Sequence, residues 1–136
     1  MTRRKARKLI LQALFQQDFR EARLEELLPK NAREDAYINE SLKGIEQHRA
    51  QIDQLISKYA RGWRLERIFS VDRNILRMAI YELLCSELPG EVVINEAVEL
   101  AKTYGTEHSH IFINGILDRI WKEVVKDSSQ VHKLTS

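Results

Sequence analysis

Apolar residues recur along most of this chain at the spacing of amphipathic α-helices. No stretch alternates with the period of two that is typical of a β-strand, so the pattern predicts an all-α fold. The first predicted helix runs from about Thr2 to Phe19 and has an apolar face spaced i, i+3, i+4, i+7, i+8. That face consists of Ala6, Leu9, Ile10, Ala13 and Leu14.

A long helical stretch is predicted between residues 31 and 60, after a charged connector over 20–30. Asn31 followed by Glu34 has the pattern of a helix N-cap with an acid three positions later. One helix of this length would overhang so small a domain, so we expect a break near residue 48. Gly62 is predicted to end the stretch as a C-cap glycine.

Three more helices are predicted in the second half of the chain, for a total of six or seven. Ser70 is expected to cap a helix over about 71–87, which is apolar nearly all round and therefore central. The other two span about 93–104 and 106–125. We expect a single domain over 1–126, and the polar residues 127–136 are predicted to form a disordered tail.

The composition agrees with a folded protein of a reducing compartment. Hydrophobic residues make up 43% and charged residues 31% of the 136 residues. The one cysteine, Cys85, lies in an apolar stretch and is interpreted as a buried free thiol. No signal peptide is recognised, and no apolar run approaches the roughly 20 residues of a membrane span, so a cytoplasmic location without membrane contact is expected.

Positive charge is concentrated at the N-terminus. Residues 1–8 hold five cations and no acid, so subtracting their +5 from the net +2 leaves −3 for the rest of the chain. The five are Arg3, Arg4, Lys5, Arg7 and Lys8. A polyanion such as RNA would gain from this charge density, and a solvated, frayed terminus explains it equally well.

A second stripe lies opposite the apolar face of the first helix. At about 100° per residue, it contains Arg4, Lys8, Leu11 and Phe15. We interpret Phe15 as an aromatic that could stack on a base, with packing under a second layer of helices as the alternative. For Leu11, packing under that second layer is preferred.

Two side chains further along depart from the helical pattern. Glu82 falls within an apolar arc, so it is either part of a buried ion pair or on a surface that binds a protein partner. Phe112 shares a stripe with Gly115 and Arg119, which indicates either a stacking surface or a second core layer. The residue pattern leaves both alternatives open in each case.

A second basic series is spread through the middle of the chain and diluted by acids. It is interpreted mainly as a solvated face with local ion pairs, and secondarily as an auxiliary phosphate contact. Its members are Lys58, Arg61, Arg64, Arg67, Arg73 and Arg77.

The sequence offers no convergent set of catalytic or metal-binding residues. There is no Gly-rich phosphate loop, and a His108-x-His110 pair at a helix start directs its rings apart. Glu96 and Glu99 share a helical face, as surface carboxylates often do. The protein is therefore predicted not to be an enzyme and to use no metal or other cofactor.

Four segments across residues 3–121 together resemble the NusB family of bacterial transcription antitermination factors. In order, they are RRKARKLILQALFQQDF, GWRLERIFSVDRNILRMAIYELL, VVINEAVELAKTYG and HIFINGILDRI. The most specific part is DRNILRMAIYEL followed by INEAVELAK and F-x-NG-x-LD.

The resemblance implies an all-α fold of two packed helical sub-bundles, here about 1–62 and 63–126, and no catalytic activity. It implies binding of single-stranded boxA RNA in nascent ribosomal-operon transcripts. The implied partners are NusE, a small-subunit ribosomal protein, and the RNA polymerase antitermination complex. Some family members form homodimers, so a self-associating helical module is an alternative, as is an RNA-binding adaptor of ribosomal RNA processing or modification.

The resemblance also assigns roles to individual positions. Two departures from the usual family pattern, Ile111 in place of Lys and His108 in place of an acid or amide, alter the expected RNA contacts near them. Tyr81 and Glu82 are expected to contact NusE. The positions assigned to RNA are Arg3, Arg4, Arg7, Lys8, Phe15, Phe112 and Asn114.

Overall fold

The computed structural model describes residues 1–126, which fold into six α-helices without any strand. The all-α prediction is confirmed, and the predicted tail at 127–136 lies outside the described residues. Three 3-10 turns, Leu24–Leu27, Lys30–Ala32 and Leu65–Arg67, occupy the connectors, and a π-helical turn, Trp121–Lys126, continues the last helix. The helices are α1 (Arg3–Gln17), α2 (Ala36–Gln47), α3 (Arg49–Tyr59), α4 (Ser70–Cys85), α5 (Gly90–Tyr104) and α6 (Ser109–Ile120).

Side-chain caps fix where α1 and α2 begin. The Thr2 hydroxyl accepts a hydrogen bond from the Lys5 backbone N–H at 3.1 Å. The Asp35 carboxylate accepts one from the Ile38 N–H at 3.0 Å, which makes Asp35 the N-cap of α2. The predicted cap at Asn31 is therefore wrong, because that residue lies in a 3-10 turn before the helix.

The predicted break near residue 48 is confirmed, since α2 ends at Gln47 and α3 begins at Arg49. His48 joins them with φ −107° and ψ 14°, outside the α-helical region. The bend lets both helices pack against α4. Gly62 follows in the turn after α3 with φ 82°, a left-handed conformation that favours glycine.

The predicted cap at Ser70 is also wrong, because Ser70 is the first residue of α4 and its hydroxyl contacts Asp18. Asp18, just after α1, also accepts hydrogen bonds from the side chains of Arg73 at 2.9 Å and Asn74 at 2.8 Å. One carboxylate thus ties the end of α1 to the start of α4.

Two arginines of α4 are buried or half-buried and bond to other segments of the chain, rather than lying on a solvated face. Arg77 is 6% exposed and donates to both carboxylate oxygens of Asp53 on α3, at 2.8 and 3.1 Å. Arg73 is half-buried and donates to the carbonyl groups of Leu65 and Ile68 as well as to Asp18. This corrects the interpretation of the second basic series at these two positions.

The prediction that α4 is central is confirmed, because it packs against each of the other five α-helices. Residues on all its sides are buried, and one continuous apolar core extends from α1 to α6. Because α4 contacts both halves of the chain, they share this core, and a division into sub-bundles near residue 62 stays a prediction. Among the described helices, none is both long and apolar enough to cross a membrane.

Candidate nucleic-acid interface

The cations at the start of α1 lie in different environments. Arg3, Arg4, Lys5 and Lys8 are exposed, whereas Arg7 is 5% exposed. The difference follows from helix periodicity, since one position of the basic segment must face the neighbouring helices.

Arg7 forms a buried ion pair with Glu82 on α4. Its Nε and Nη2 atoms donate to the two carboxylate oxygens, each at 2.9 Å, and the Tyr37 hydroxyl donates to the same carboxylate at 2.7 Å. Burial acts to lower the pKa of Arg7, but its hydrogen bond to Glu82 and the charge of that carboxylate outweigh burial and raise it. Burial together with the Glu82 charge raises the pKa of Tyr37 well above its ordinary value.

This geometry bears on two sequence-based expectations. The Arg7 guanidinium is enclosed by protein groups, and a direct contact of Arg7 with RNA stays a prediction. The Glu82 side chain is 4% exposed, which favours the ion-pair alternative, and its contact with a protein partner stays a prediction. An unpaired charge at either position would be costly, and the two groups satisfy each other.

Arg3 and Arg4 flank the buried pair on different sides. The Arg3 guanidinium lies 4.0 Å from the centre of the Tyr37 ring, as in a cation–π contact. The Arg4 side chain is 73% exposed and contacts Glu96 on α5 at 3.2 Å. Both remain open to solvent, so both can contact a phosphate.

A groove of about 410 Å³ runs between α1 and α5 beside these cations. Lys8 and Tyr104 line it and also line a smaller cleft of about 180 Å³, so the two adjoin. Phe15 lines the smaller cleft and is half-buried, with its ring 5.0 Å from that of Phe19. The groove is lined by Thr2, Arg4, Lys5, Lys8, Glu96, Glu99, Leu100, Thr103 and Tyr104.

The small cleft continues the groove towards α4. Leu11 contributes to its wall but is 4% exposed, so the packing interpretation of Leu11 is confirmed. Gln12 and Val71 complete the wall. Cations, a tyrosine and a phenylalanine therefore lie along one surface that starts on α1.

A third cleft, of about 500 Å³, lies between the α3–α4 connector and α6. Phe112 is half-buried there, with its ring edge-on to Trp63 at 6.2 Å between centroids. Asn114 is exposed on α6. The cleft is lined by Trp63, Arg67, Ile68, Phe69, Asp72, Thr106, His108, Ser109 and Phe112.

Tyr81 is half-buried on the opposite side of α4. Its ring lies directly against Gly44 of α2, where a side chain would collide with it. Its hydroxyl donates to the Glu40 carbonyl at 3.4 Å. This contact stabilises the α2–α4 packing, and a role of Tyr81 towards a protein partner stays a prediction.

Sequence reasoning missed three aromatic residues of these clefts. Trp63 is 55%, Phe69 49% and Tyr104 38% exposed. Trp63 stands among arginines in the connector, and such basic and aromatic interleaving could have indicated it. Tyr104 gave no such signal, because the terminal residue of an amphipathic helix can face either the core or the solvent.

The groups that could perform chemistry are dispersed in the described part of the chain. Within residues 1–126, no three His, Cys, Asp or Glu side chains lie close enough together to hold a metal ion. Cys85 is half-buried, and burial raises the pKa of its thiol, which disfavours the reactive thiolate. The arrangement is suited to binding, through exposed cations beside aromatic side chains.

A helical bundle with a basic, aromatic-lined surface defines an all-helical nucleic-acid-binding protein. The comparison with protein families identifies the family within this class. The model of the NusB family matches residues 4–122, and the chain belongs to this family. Family members are RNA-binding antitermination factors without enzymatic activity, in agreement with the prediction that this protein is not an enzyme.

Individual relatives cover nearly the whole chain. The transcription antitermination protein NusB of Thermotoga sp. is 50% identical over 131 residues, covering 89% of this chain and 91% of the relative. That of Symbiobacterium thermophilum is 44% identical over 136 residues, covering 88% and 89%.

Two solved structures have the same fold. The T. maritima NusB structure superposes with a TM-score of 0.81 at 46% identity, covering 90% of this chain and 92% of that one. A chain from a structure of the antitermination factors NusB and NusE with double-stranded RNA gives a TM-score of 0.73 at 31% identity. It covers 90% of this chain and 98% of its own length.

Proposed function

We propose that this protein binds single-stranded boxA RNA of nascent ribosomal-operon transcripts, together with NusE, and helps RNA polymerase to resist termination. The observation that supports this best is the groove beside α1, where exposed Arg4, Lys5 and Lys8 adjoin Tyr104. A protein with this function acts in the cytoplasm, where bacterial transcripts are made.

The surface of α1 and α6 offers two kinds of RNA contact. Arg3, Arg4 and Lys8 neutralise phosphates, and the release of counterions makes binding strongly dependent on salt. Phe15 and Phe112 contact bases, because single-stranded RNA exposes base faces that stack on aromatic rings. Asn114 on α6 is exposed and can contribute a polar contact.

Arg7 and Glu82 act indirectly in this proposal. Their buried pair joins α1 to α4 and holds the exposed cations in position. Arg7 is thus a positioning residue for the RNA surface. A related structure contains NusB and NusE with RNA, which supports a joint surface, and Tyr81 remains our candidate for the protein contact.

The test is the affinity for labelled boxA RNA over a salt series, with and without NusE. The double variant Arg4→Ala/Lys8→Ala should bind more weakly. Its slope of log affinity against log salt should fall by about 1.4, because each phosphate of a single strand that is no longer neutralised lowers the slope by about 0.7. Lys30→Ala/Lys43→Ala is the matched control, because both lysines are exposed outside α1. An unchanged slope in the α1 variant contradicts the proposal.

Self-association is tested in the same samples by light scattering. A monomer that joins RNA and NusE supports the proposal. A dimer whose mass and RNA affinity are indifferent to boxA supports the alternative of a self-associating module.

A further inference from the structure

One carboxylate, that of Glu96 on α5, contacts two cations of α1. Its two oxygens accept hydrogen bonds from the Arg4 Nη2 atom at 3.4 and 3.2 Å, and one of them lies 3.7 Å from the Arg7 Nη1 atom. The Arg7 side chain is 6% exposed, whereas that of Arg4 is 73% exposed. Glu96 therefore joins a buried cation to one that faces solvent at the edge of the groove between α1 and α5.

Glu99, nearly one turn further along α5, lines the same groove but has a different neighbour. Its carboxylate pairs with Lys102 of its own helix at 3.7 Å, and both side chains are 56% exposed. The groove thus holds two acids of equal charge on a surface that is proposed to bind a polyanion, and Glu96 is the one paired with Arg4.

The Glu96 carboxylate and an RNA phosphate would bind the same part of Arg4. A guanidinium presents its N–H groups in a planar fork that fits either anion, so carboxylate and phosphate oxygens accept the same hydrogen bonds. Glu96 also brings negative charge to the place where a phosphate would lie, and like charges repel. In the free protein, Arg4 is therefore occupied by an internal anion.

The fold makes this internal anion replaceable. The Arg4 side chain is mostly in solvent, so its fork can leave Glu96 without disturbing the core. The Glu96 side chain is 22% exposed and would still have Arg7 close by, so its charge would stay partly compensated. Exchange of Glu96 for a phosphate at Arg4 thus leaves no isolated buried charge.

We propose that Glu96 is a built-in competitor of RNA, which holds Arg4 in the free protein and releases it to a phosphate on binding. This inference rests on the proposed function and adds to it a residue that lowers the RNA affinity of the α1 surface. The cations of α1 then bind RNA less tightly than their charge alone would allow, because the Arg4–Glu96 pair must first be broken.

The first experiment compares Glu96→Gln with Glu99→Gln by fluorescence anisotropy, using labelled boxA RNA at low salt. Both variants remove one negative charge from the same groove, but they differ in the ion pair that is lost. Glu96→Gln should raise the affinity about two- to fivefold, the range expected when an exposed ion pair no longer competes. Glu99→Gln should gain clearly less, because it leaves Arg4 paired. Equal gains would indicate an effect of net charge and overturn the proposal.

The second experiment repeats the comparison in an Arg4→Ala background. Without the Arg4 guanidinium there is nothing for Glu96 to withhold from a phosphate, so Glu96→Gln should gain no more than Glu99→Gln. If the full gain persists in Arg4→Ala, Glu96 acts on the phosphate through space and not through Arg4, which contradicts the proposal.

Glu96→Asp and thermal unfolding guard against an effect on folding. In both Glu96 variants, Arg7 keeps its two 2.9 Å hydrogen bonds to Glu82, so Tm should stay within roughly 5 °C of the wild type. Glu96→Asp keeps the charge but draws the carboxylate back from Arg4, so it should also raise the affinity, and it replaces Glu96→Gln if that variant unfolds. Weaker or unchanged binding of the folded variants would mean that Glu96 does not compete with RNA.

The α1 variant Arg4→Ala/Lys8→Ala distinguishes this inference from the proposed function. If its affinity and salt slope both fall while Glu96→Gln and Glu99→Gln behave alike, the competition by Glu96 fails and the proposed function stands. If the wild type does not bind the RNA, both fail.

Discussion

Removing the Glu82 carboxylate should strongly destabilise this protein. In Glu82→Ala, the Arg7 guanidinium loses both of its 2.9 Å hydrogen bonds, and the Tyr37 hydroxyl loses its 2.7 Å acceptor. Arg7 then keeps its longer contact with the Glu96 carboxylate, at 3.7 Å. Breaking a buried ion pair by removing one partner costs about 3–5 kcal/mol, because the remaining buried charge is poorly compensated. That is a large fraction of the roughly 5–15 kcal/mol by which a domain is usually stable.

The assay is urea unfolding at neutral pH, supported by thermal scans. We expect the free energy of unfolding to fall by about 4 kcal/mol, and Tm by roughly 10–20 °C for a chain of this size. The double variant Arg7→Met/Glu82→Leu should recover most of this stability, since apolar replacement of a whole buried pair is often neutral. Arg64→Ala breaks an exposed pair with Glu66 and should cost under about 1 kcal/mol.

Two outcomes would refute this reasoning. If Glu82→Ala unfolds within about 1 kcal/mol of the wild type, the carboxylate does not compensate Arg7 in the way the geometry indicates. If it keeps full stability and no longer binds NusE, Glu82 is a direct partner contact after all, and the ion pair opens in the complex.

Three further predictions concern the α1–α4 tie, two glycines and the groove. Burial acts to raise the pKa of Asp18, but the hydrogen bonds that Asp18 accepts from α4 outweigh burial and lower this pKa. The ionised carboxylate therefore stabilises the fold above the unfolded pKa of about 3.9, and this stabilisation is lost at lower pH. Asp18→Asn should therefore be about 1–3 kcal/mol less stable at pH 7, and in urea titrations the difference should shrink as the pH falls below the unfolded pKa and through the lowered pKa of the folded state. Gly44→Ala should cost about 1–3 kcal/mol because its Cβ would overlap a tyrosine ring of α4, whereas Gly115→Ala, with open space at its Cβ, should gain about 0.5–1 kcal/mol by calorimetry. Glu96→Gln frees Arg4 from its ion pair, and Arg7 loses a 3.7 Å contact but keeps both hydrogen bonds to Glu82. RNA affinity should therefore rise by up to about fivefold, and weaker binding in fluorescence anisotropy would contradict this.

Much of the architecture could be predicted from the sequence, because helical periodicity and length are local properties. The break at His48 followed from the size of the domain alone. Helix starts were less predictable, since Asn31 and Asp35 are both good capping residues and only packing selects Asp35. The roles of Arg7 and Glu82 were beyond local reasoning, because the two residues are 75 positions apart in the chain.

The buried pair also explains which cations face the RNA groove. With Arg7 directed at its partner on α4, a rotation of about 100° per residue places Arg4 roughly 60° and Lys8 roughly 100° to one side, where Phe15 also falls. Arg3 falls roughly 40° to the other side, in agreement with its position over the α2 tyrosine ring. The rotation of α1 about its axis is thus fixed by a residue that need not contact RNA. Weaker RNA binding and a lower salt slope in an Arg7 variant would therefore not identify a phosphate contact of Arg7, because misplacement of Arg4 and Lys8 has the same effect. If Arg7 acts only through these two residues, its substitution should cause no further fall in the slope of Arg4→Ala/Lys8→Ala; a further fall would contradict this.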